Sequence, residues 1–422
     1  MSFTRNHRYP SVKKRFAIWA ALFSVGTLAM PSTALASKES ESLTTDSERY
    51  FKSEDIFNLE YVSEVQVSPN GKYVAYVRRS NDIMSDSSRA NVWLASVDGK
   101  SHRPLLSSKK SYYSIRWSPD GSRLAYLSNE EGKPQLYVRW MDTGQTALVT
   151  NVTSNPSNIT WSPDGKHIAF TMSVDAKEKP LDIKMPKKPD GAKWSPSFQY
   201  ITKARYQADG RGILEPAYTH IFIVPADGGT ARQLTSGNYH HNGRLSFSPD
   251  SDKIYFSANR SDNWEYEPVE GDIFSVDMMG NIAQLTNDKG LESSPVVSPD
   301  GKHIAYARRD DEKVMYKNSY LYVMKSDGTD AKNLTKDVDN SVSNFHWKDN
   351  KHVYFQQSVR GLAQVDVVSL SGSVKAVAKG LGGTTLGRPY VFGTYHAVDD
   401  VVAYTKGRTD RPADLYVTTR NE

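Results

Sequence analysis

Along most of the chain, apolar and polar residues alternate in short runs, the period of β-strands with one covered face. Residues 158–170, NITWSPDGKHIAF, place a tight polar turn between two such runs. The turn recurs as SPNG from Ser68, as SPDG from Ser118, Ser162 and Ser298, as SPDS from Ser248, and as a worn KDNK from Lys348. Successive first residues are 50, 44, 86, 50 and 50 positions apart, and a period of about 40 to 50 residues belongs to propeller blades.

Each unit repeats one internal order. A pair such as IRW, ITW or FHW precedes the turn, and a strand such as LAYL, IAFT, IYFS, IAYA or VYFQ follows it. A second strand then ends in an Asp-Gly or Ser-Gly turn, as in NVWLASVDG or HIFIVPADGG, and a short strand such as RQLT, AQLT or KNLT closes the unit. β-Branched and aromatic residues make the strands, and Pro-Asp-Gly supplies the turn chemistry. The expected architecture is all-β, a seven-bladed β-propeller of four-stranded antiparallel blades. Such sheets cannot bury both faces alone and must stack around an axis. The propeller is expected over residues 61–422, after an N-terminal segment at 37–60. Residues 397–419 form a seventh blade without its outer strand, which residues near Tyr50 to Phe57, or sequence beyond Glu422, are expected to complete.

In the turns, Asp120, Asp164 and Asp300 read as scaffold, because Asp caps turns with its own side chain. Trp117 and Trp161 read as packing between blades. Extra length gathers in the loops between second and third strands, all on one face. It is greatest in blade 3, over about 173–218, and insertions on one face of a repeat protein mark its working face. That loop carries Lys184, Lys187, Lys188, Lys193, Lys203, Arg205 and Arg211 with Trp194, Phe198, Tyr200 and Tyr206; in blade 4 the corresponding loop carries Trp264, Glu265, Tyr266 and Glu267. Arg205, Tyr206, Trp264 and Glu265 are the candidate substrate-binding residues. A carboxylate there would bind a peptide amino terminus; solvated loop surface is the plainer alternative.

Composition changes this picture at one end only. Arg5, Arg8, Lys13, Lys14 and Arg15, an apolar run over 16–30 and the small-x-small site at Ala34-Leu35-Ala36 read as a signal peptide over 1–36. The apolar run is too short to span a bilayer. The mature chain is expected to start at Ser37 and to be periplasmic or secreted, with no membrane span. Removing five cations and no anions takes the formal charge from +5 to 5 − 5 = 0, so the clustered basic surface of a nucleic-acid binder is not expected. Cysteine is absent, which excludes disulfides and thiolate chemistry.

Catalytic motifs are missing. The chain has no Gly-x-Ser-x-Gly, no His-Glu-x-x-His, no phosphate loop and no calcium loop. His240-His241 is the one adjacent pair of histidines and reads as exposed loop. His167 and His303 occupy equivalent blade positions, which is a scaffold pattern and argues against a propeller lyase with histidine-bound metal. No catalytic residue, metal or cofactor is assigned.

The repeated W-SPDG-x-IA-[YF], LYV, DGG and QLT elements resemble the β-propeller of prolyl oligopeptidase family serine peptidases, especially the acylaminoacyl-peptidase and dipeptidyl-peptidase-like branch. Residues 205–237 resemble that branch's blade-3 insertion and return strand, and residues 51–77 resemble its start. In that family an α/β-hydrolase domain carrying the Ser, Asp and His triad follows the propeller, and no triad residue maps onto this chain. The resemblance implies a propeller that caps an active site, admits short peptides and has the hydrolase domain as its partner. The alternative is a freestanding periplasmic TolB-like propeller that binds partner proteins.

Overall fold

The computed structural model describes residues 50–176, 186–195, 201–310, 314, 316–383 and 393–419. The first six blades are four-stranded antiparallel sheets. Their opening strands are Glu60–Val67, Tyr112–Trp117, Ser157–Trp161, Ser246–Phe247, Gly290–Val297 and Val342–Trp347. The seventh sheet, Tyr395–Val398, Val401–Arg408 and Arg411–Thr418, has three strands among the described residues.

The opening strands are the innermost ring, because hydrogen bonds join each to the next. The indoles of Trp117, Trp161 and Trp347 donate to the carbonyls of Gln66, Arg116 and Val296 on the preceding blades, at 3.1, 3.1 and 2.8 Å. Asn158 Nδ2 donates to Asn242 O, Val297 N to Ser246 Oγ, Tyr395 Oη to Asn344 O, and Val67 N to His396 Nδ1. Trp117 and Trp161 therefore couple blades, as their sequence position suggests.

Seven buried clusters of apolar side chains occupy the seven blade interfaces. Alternation along each strand sends side chains to both sheet faces, so every blade feeds two of these cores. Val62, Val65, Val67 and Tyr76 of blade 1 pack on Ala403, Leu415 and Val417 of blade 7. That contact closes the ring without a shared strand among the described residues. Residues near Tyr50 to Phe57 do not complete the seventh sheet. Ser53–Asn58 is a 3-10 helix whose Ile56 carbonyl accepts from Asn81 Nδ2 on blade 1 at 2.8 Å.

The repeated turn is a blade-to-blade joint. In the blade-2 copy, Ser118 Oγ donates to Asp120 Oδ1 at 2.6 Å and accepts from Arg123 N, while Asp120 also accepts from Ser122 N and Oγ. Gly121 and Gly301 both have φ +71° and sit against Pro69 and Pro249 of the preceding turns. A Cβ on Gly301 would come within 3.2 Å of that proline ring, so position and handedness both call for glycine. Asp164 N donates to Ser251 Oγ and Asp300 N to Asn350 Oδ1, tying neighbouring turns together.

Candidate functional site

The opposite face carries the long loops. In blade 3 the second strand, His167–Asp175, pairs with the third, Ala217–Pro225, through Asp175 opposite Ala217, so the two ends of segment 173–218 are strand. Inside it Gln207–Ala208 and Gly212–Ile213 form a small hairpin. Lys187, Lys188, Lys193 and Arg211 are exposed, and Trp194 is 44 % exposed. Lys184, Phe198 and Tyr200 lie outside the described residues, as do the expected signal peptide and the expected start at Ser37.

Chain from blade 3 crosses to blade 4 at Lys203. Its Nζ lies 2.8 Å from Glu265 Oε1, and Ala204 N donates to Glu265 Oε2 at 3.0 Å. The two contacts occupy both carboxylate oxygens and clamp the loops together. Partial burial pushes the Glu265 carboxyl up, but Lys203 and the Ala204 amide outweigh it and hold it below its ordinary value. Glu265 raises the Lys203 ammonium in return, so the pair is ionised at neutral pH.

Aromatic rings stand behind the clamp. Lys203 Nζ sits 5.7 Å from the Tyr218 ring centroid, and Tyr218, His240 and Trp264 meet pairwise with centroids 5.3 to 6.3 Å apart. Two cavities adjoin here. One, of about 320 Å³, includes Lys203, Tyr218, Tyr239, Trp264, Glu265 and Tyr266 in its wall. The other, about 370 Å³, is lined by Ala204, Arg205, Tyr206, Gln207 and Glu265. Arg205, Tyr206, Trp264 and Glu265 thus share one rim, with Glu265 in the wall between the cavities. Glu265 is engaged by Lys203, however, and is not a free carboxylate waiting for an amine.

His241 departs from the exposed-loop expectation, being completely buried. Arg260 Nη1 lies 2.7 Å from its Nε2, and since arginine only donates, Nε2 must accept. The proton therefore sits on Nδ1, which faces Thr219 O at 3.2 Å. Burial first, then the Arg260 charge, pushes its pKa down to about 3, so His241 is a neutral strut beneath the site.

Among residues that sequence reasoning did not assign, Tyr218 and His240 matter most. Tyr218 is marked only by its place at a strand end beside a long loop. The Lys203–Glu265 pairing spans 62 positions and leaves no local signal. No group of three or more metal-ligating side chains occurs among the described residues.

Comparison with known proteins agrees with this architecture. The TolB beta propeller domain profile matches residues 70–214, and that of the dipeptidyl peptidase IV N-terminal region matches 195–307, across the rim loops. An uncharacterized peptidase, YuxL, of Bacillus subtilis is 30 % identical over 207 residues, 49 % of this chain and 31 % of its own length. Dipeptidyl-peptidase 5 of Porphyromonas gingivalis is 22 % identical over 420 residues, 96 % of this chain and 58 % of its own. The chain thus spans less than two thirds of either relative. Acylaminoacyl peptidase from Pyrococcus horikoshii superposes with a TM-score of 0.65 at 17 % identity, covering 86 % of this chain and 51 % of that one. By sequence and by architecture, the chain is similar to the amino-terminal β-propellers of prolyl oligopeptidase family peptidases.

Proposed function

We propose that this propeller is the substrate-selecting and access-limiting part of an exported peptidase that acts on short peptides, and that the rim shared by blades 3 and 4 meets the substrate. The observation that carries the reading is the convergence of two long loops on adjoining cavities, walled by aromatic rings, the exposed Arg205 cation and the clamped Glu265. Aromatic faces hold extended peptide, while fixed charges select its ends. Peptidases among the relatives support the reading. In it, a hydrolase domain performs acyl transfer to water by serine attack with histidine assistance and an oxyanion hole, and the propeller controls entry and position.

Calorimetric titration of the chain with peptides of two to ten residues tests this. Saturable binding that favours the short peptides and weakens on Arg205→Gln or Trp264→Ala supports it. Equal affinity at all lengths, or binding indifferent to both substitutions, overturns it. The TolB profile match favours a second reading, a periplasmic propeller that binds envelope proteins. Stoichiometric capture of an envelope protein, together with no peptide binding, would select that reading instead.

A further inference from the structure

The ring of opening strands places a set of cations on the axis that the rim site does not use. Pairing with the second strands defines one row around the ring: Gln66 opposite Ala75, Arg116 opposite Ala125, Thr160 opposite Ala169, Ser246 opposite Tyr255, Val296 opposite Ala305, His346 opposite Tyr354 and His396 opposite Ala403. Arg116, His346 and His396 are thus equivalent residues of blades 2, 6 and 7. Arg244 stands two positions before Ser246 on blade 4 and belongs to the same inner wall.

Arg244 shows how narrow the axis is. Its Nη1 donates to Phe345 O at 2.6 Å, joining blade 4 to blade 6. Those blades are not neighbours, so the guanidinium reaches across space inside the ring. Its target adjoins His346, whose ring meets that of His396 with centroids 5.0 Å apart. Arg116 and Arg244 each depress the proton affinity of both histidines, in agreement with the register that sets Arg116, His346 and His396 in one row of the inner wall. Each arginine, histidine and row neighbour Thr160 is half-buried, so the space inside the ring is open to solvent.

Counter-charge is scarce there. The one hydrogen bond described for the Arg116 side chain goes from Nη1 to its neighbour's carbonyl, Ile115 O, at 2.8 Å, and the Arg244 side chain likewise binds a carbonyl. Neither guanidinium has a carboxylate within 4.0 Å among the described residues, and Glu64 is the one acid whose charge Arg116 feels. A half-buried guanidinium with no carboxylate beside it is costly, and its fork of donors fits the oxygens of an anion.

We propose that this waist is a binding site for a small oxyanion, either an inorganic one such as sulfate or the carboxylate end of a peptide, held by the guanidiniums of Arg116 and Arg244. The proposal is independent of the peptide-binding rim: one can fail without the other.

Calorimetry on the full chain tests it, using sodium sulfate, and separately an N-acetyl dipeptide with a free carboxylate and the same dipeptide as its amide, with chloride at matched ionic strength as the control. Saturable binding of sulfate or of the acid, weakened about tenfold or more by Arg116→Gln and by Arg244→Gln, supports the proposal. Sulfate without the acid points to an inorganic oxyanion, and the acid without its amide points to a peptide terminus. Thr160→Glu guards against misfolding of the glutamine variants. It sets a carboxylate between blades 2 and 4 and should abolish binding while leaving the melting temperature in sulfate-free buffer unchanged or raised. A response no larger than that to chloride, or full sulfate affinity in folded Thr160→Glu, overturns the proposal.

Discussion

The turn carboxylates of this propeller and two buried carboxylates on its loop face behave in opposite ways. On the turn face Asp120 is pulled down to about 2, first by the Ser118 hydroxyl and then by Ser122, and Asp250 and Asp300 are lowered in the same way by Ser248 and Ser298. On the loop face Asp272 is pushed up to about 6 and Glu292 to about 7, in both cases chiefly by burial. Glu292 is completely buried, neither of its oxygens has a hydrogen-bond partner among the described residues, and the nearest cation, Arg308 Nη1, is 3.4 Å away. One face satisfies its acids locally, within five residues of sequence. The other assembles its charges from distant segments and leaves some under-satisfied, which is where binding chemistry has room to act.

The largest effect expected from this contrast is at Glu292. Its folded-state pKa lies above the unfolded value near 4.5, so folding takes up a proton and stability falls as pH rises from about 4.5 to 7. Glu292→Gln should flatten that slope and exceed the parent in stability by about 2 kcal/mol at pH 8, with little difference at pH 4.5. Arg308 keeps Asp288 and Asp310 as partners in the variant. Denaturant melts at both pH values check this, and an unchanged slope would remove the contrast between faces.

On the turn face, Gly301→Ala should cost about 1.5 kcal/mol, from the left-handed backbone and the crowding against Pro249. Asp120→Ala should cost about 1 kcal/mol at pH 7, through loss of its hydrogen bonds to Ser118 and Ser122. Here the sign is reversed. The Asp120 contribution is present above pH 4 and disappears as pH falls through 4 towards 2, so parent and variant should converge in acid. Smallest in stability is the rim clamp. Lys203→Met should change stability by no more than about 0.5 kcal/mol, as a partly solvated ion pair between loops does, yet free Glu265 and shift peptide affinity measured by titration. A large loss of stability there would make the rim scaffold rather than site.

The fold was legible because its signals are local. The turn at Ser118, Pro119, Asp120 and Gly121 fixes one joint, strand alternation fixes the faces, and the period fixes the blade count. The seventh blade was legible only in part. Its shortened turn at Asp399 and Asp400 keeps the strand pattern, but whether residues 50–57 would pair with it depended on which neighbour they meet, and Ser53–Asn58 folds as a 3-10 helix against blade 1. Arg205, Tyr206, Trp264 and Glu265 were legible as loop residues of one face, because strand order alone decides which loops share it.

What the sequence by itself determined was the repeat, and with it the all-β architecture, the inter-blade role of Trp117 and Trp161 and the face on which the long loops gather. Only the tertiary structure decided that Lys203 occupies Glu265, that His241 lies buried beneath Arg260, and that Arg116, Arg244, His346 and His396 converge on the axis. Turn and strand chemistry acts between residues a few positions apart, whereas these partners are 19 to 280 positions apart and meet only because the ring closes. Ring closure is a property of all seven interfaces together, and no segment carries it alone.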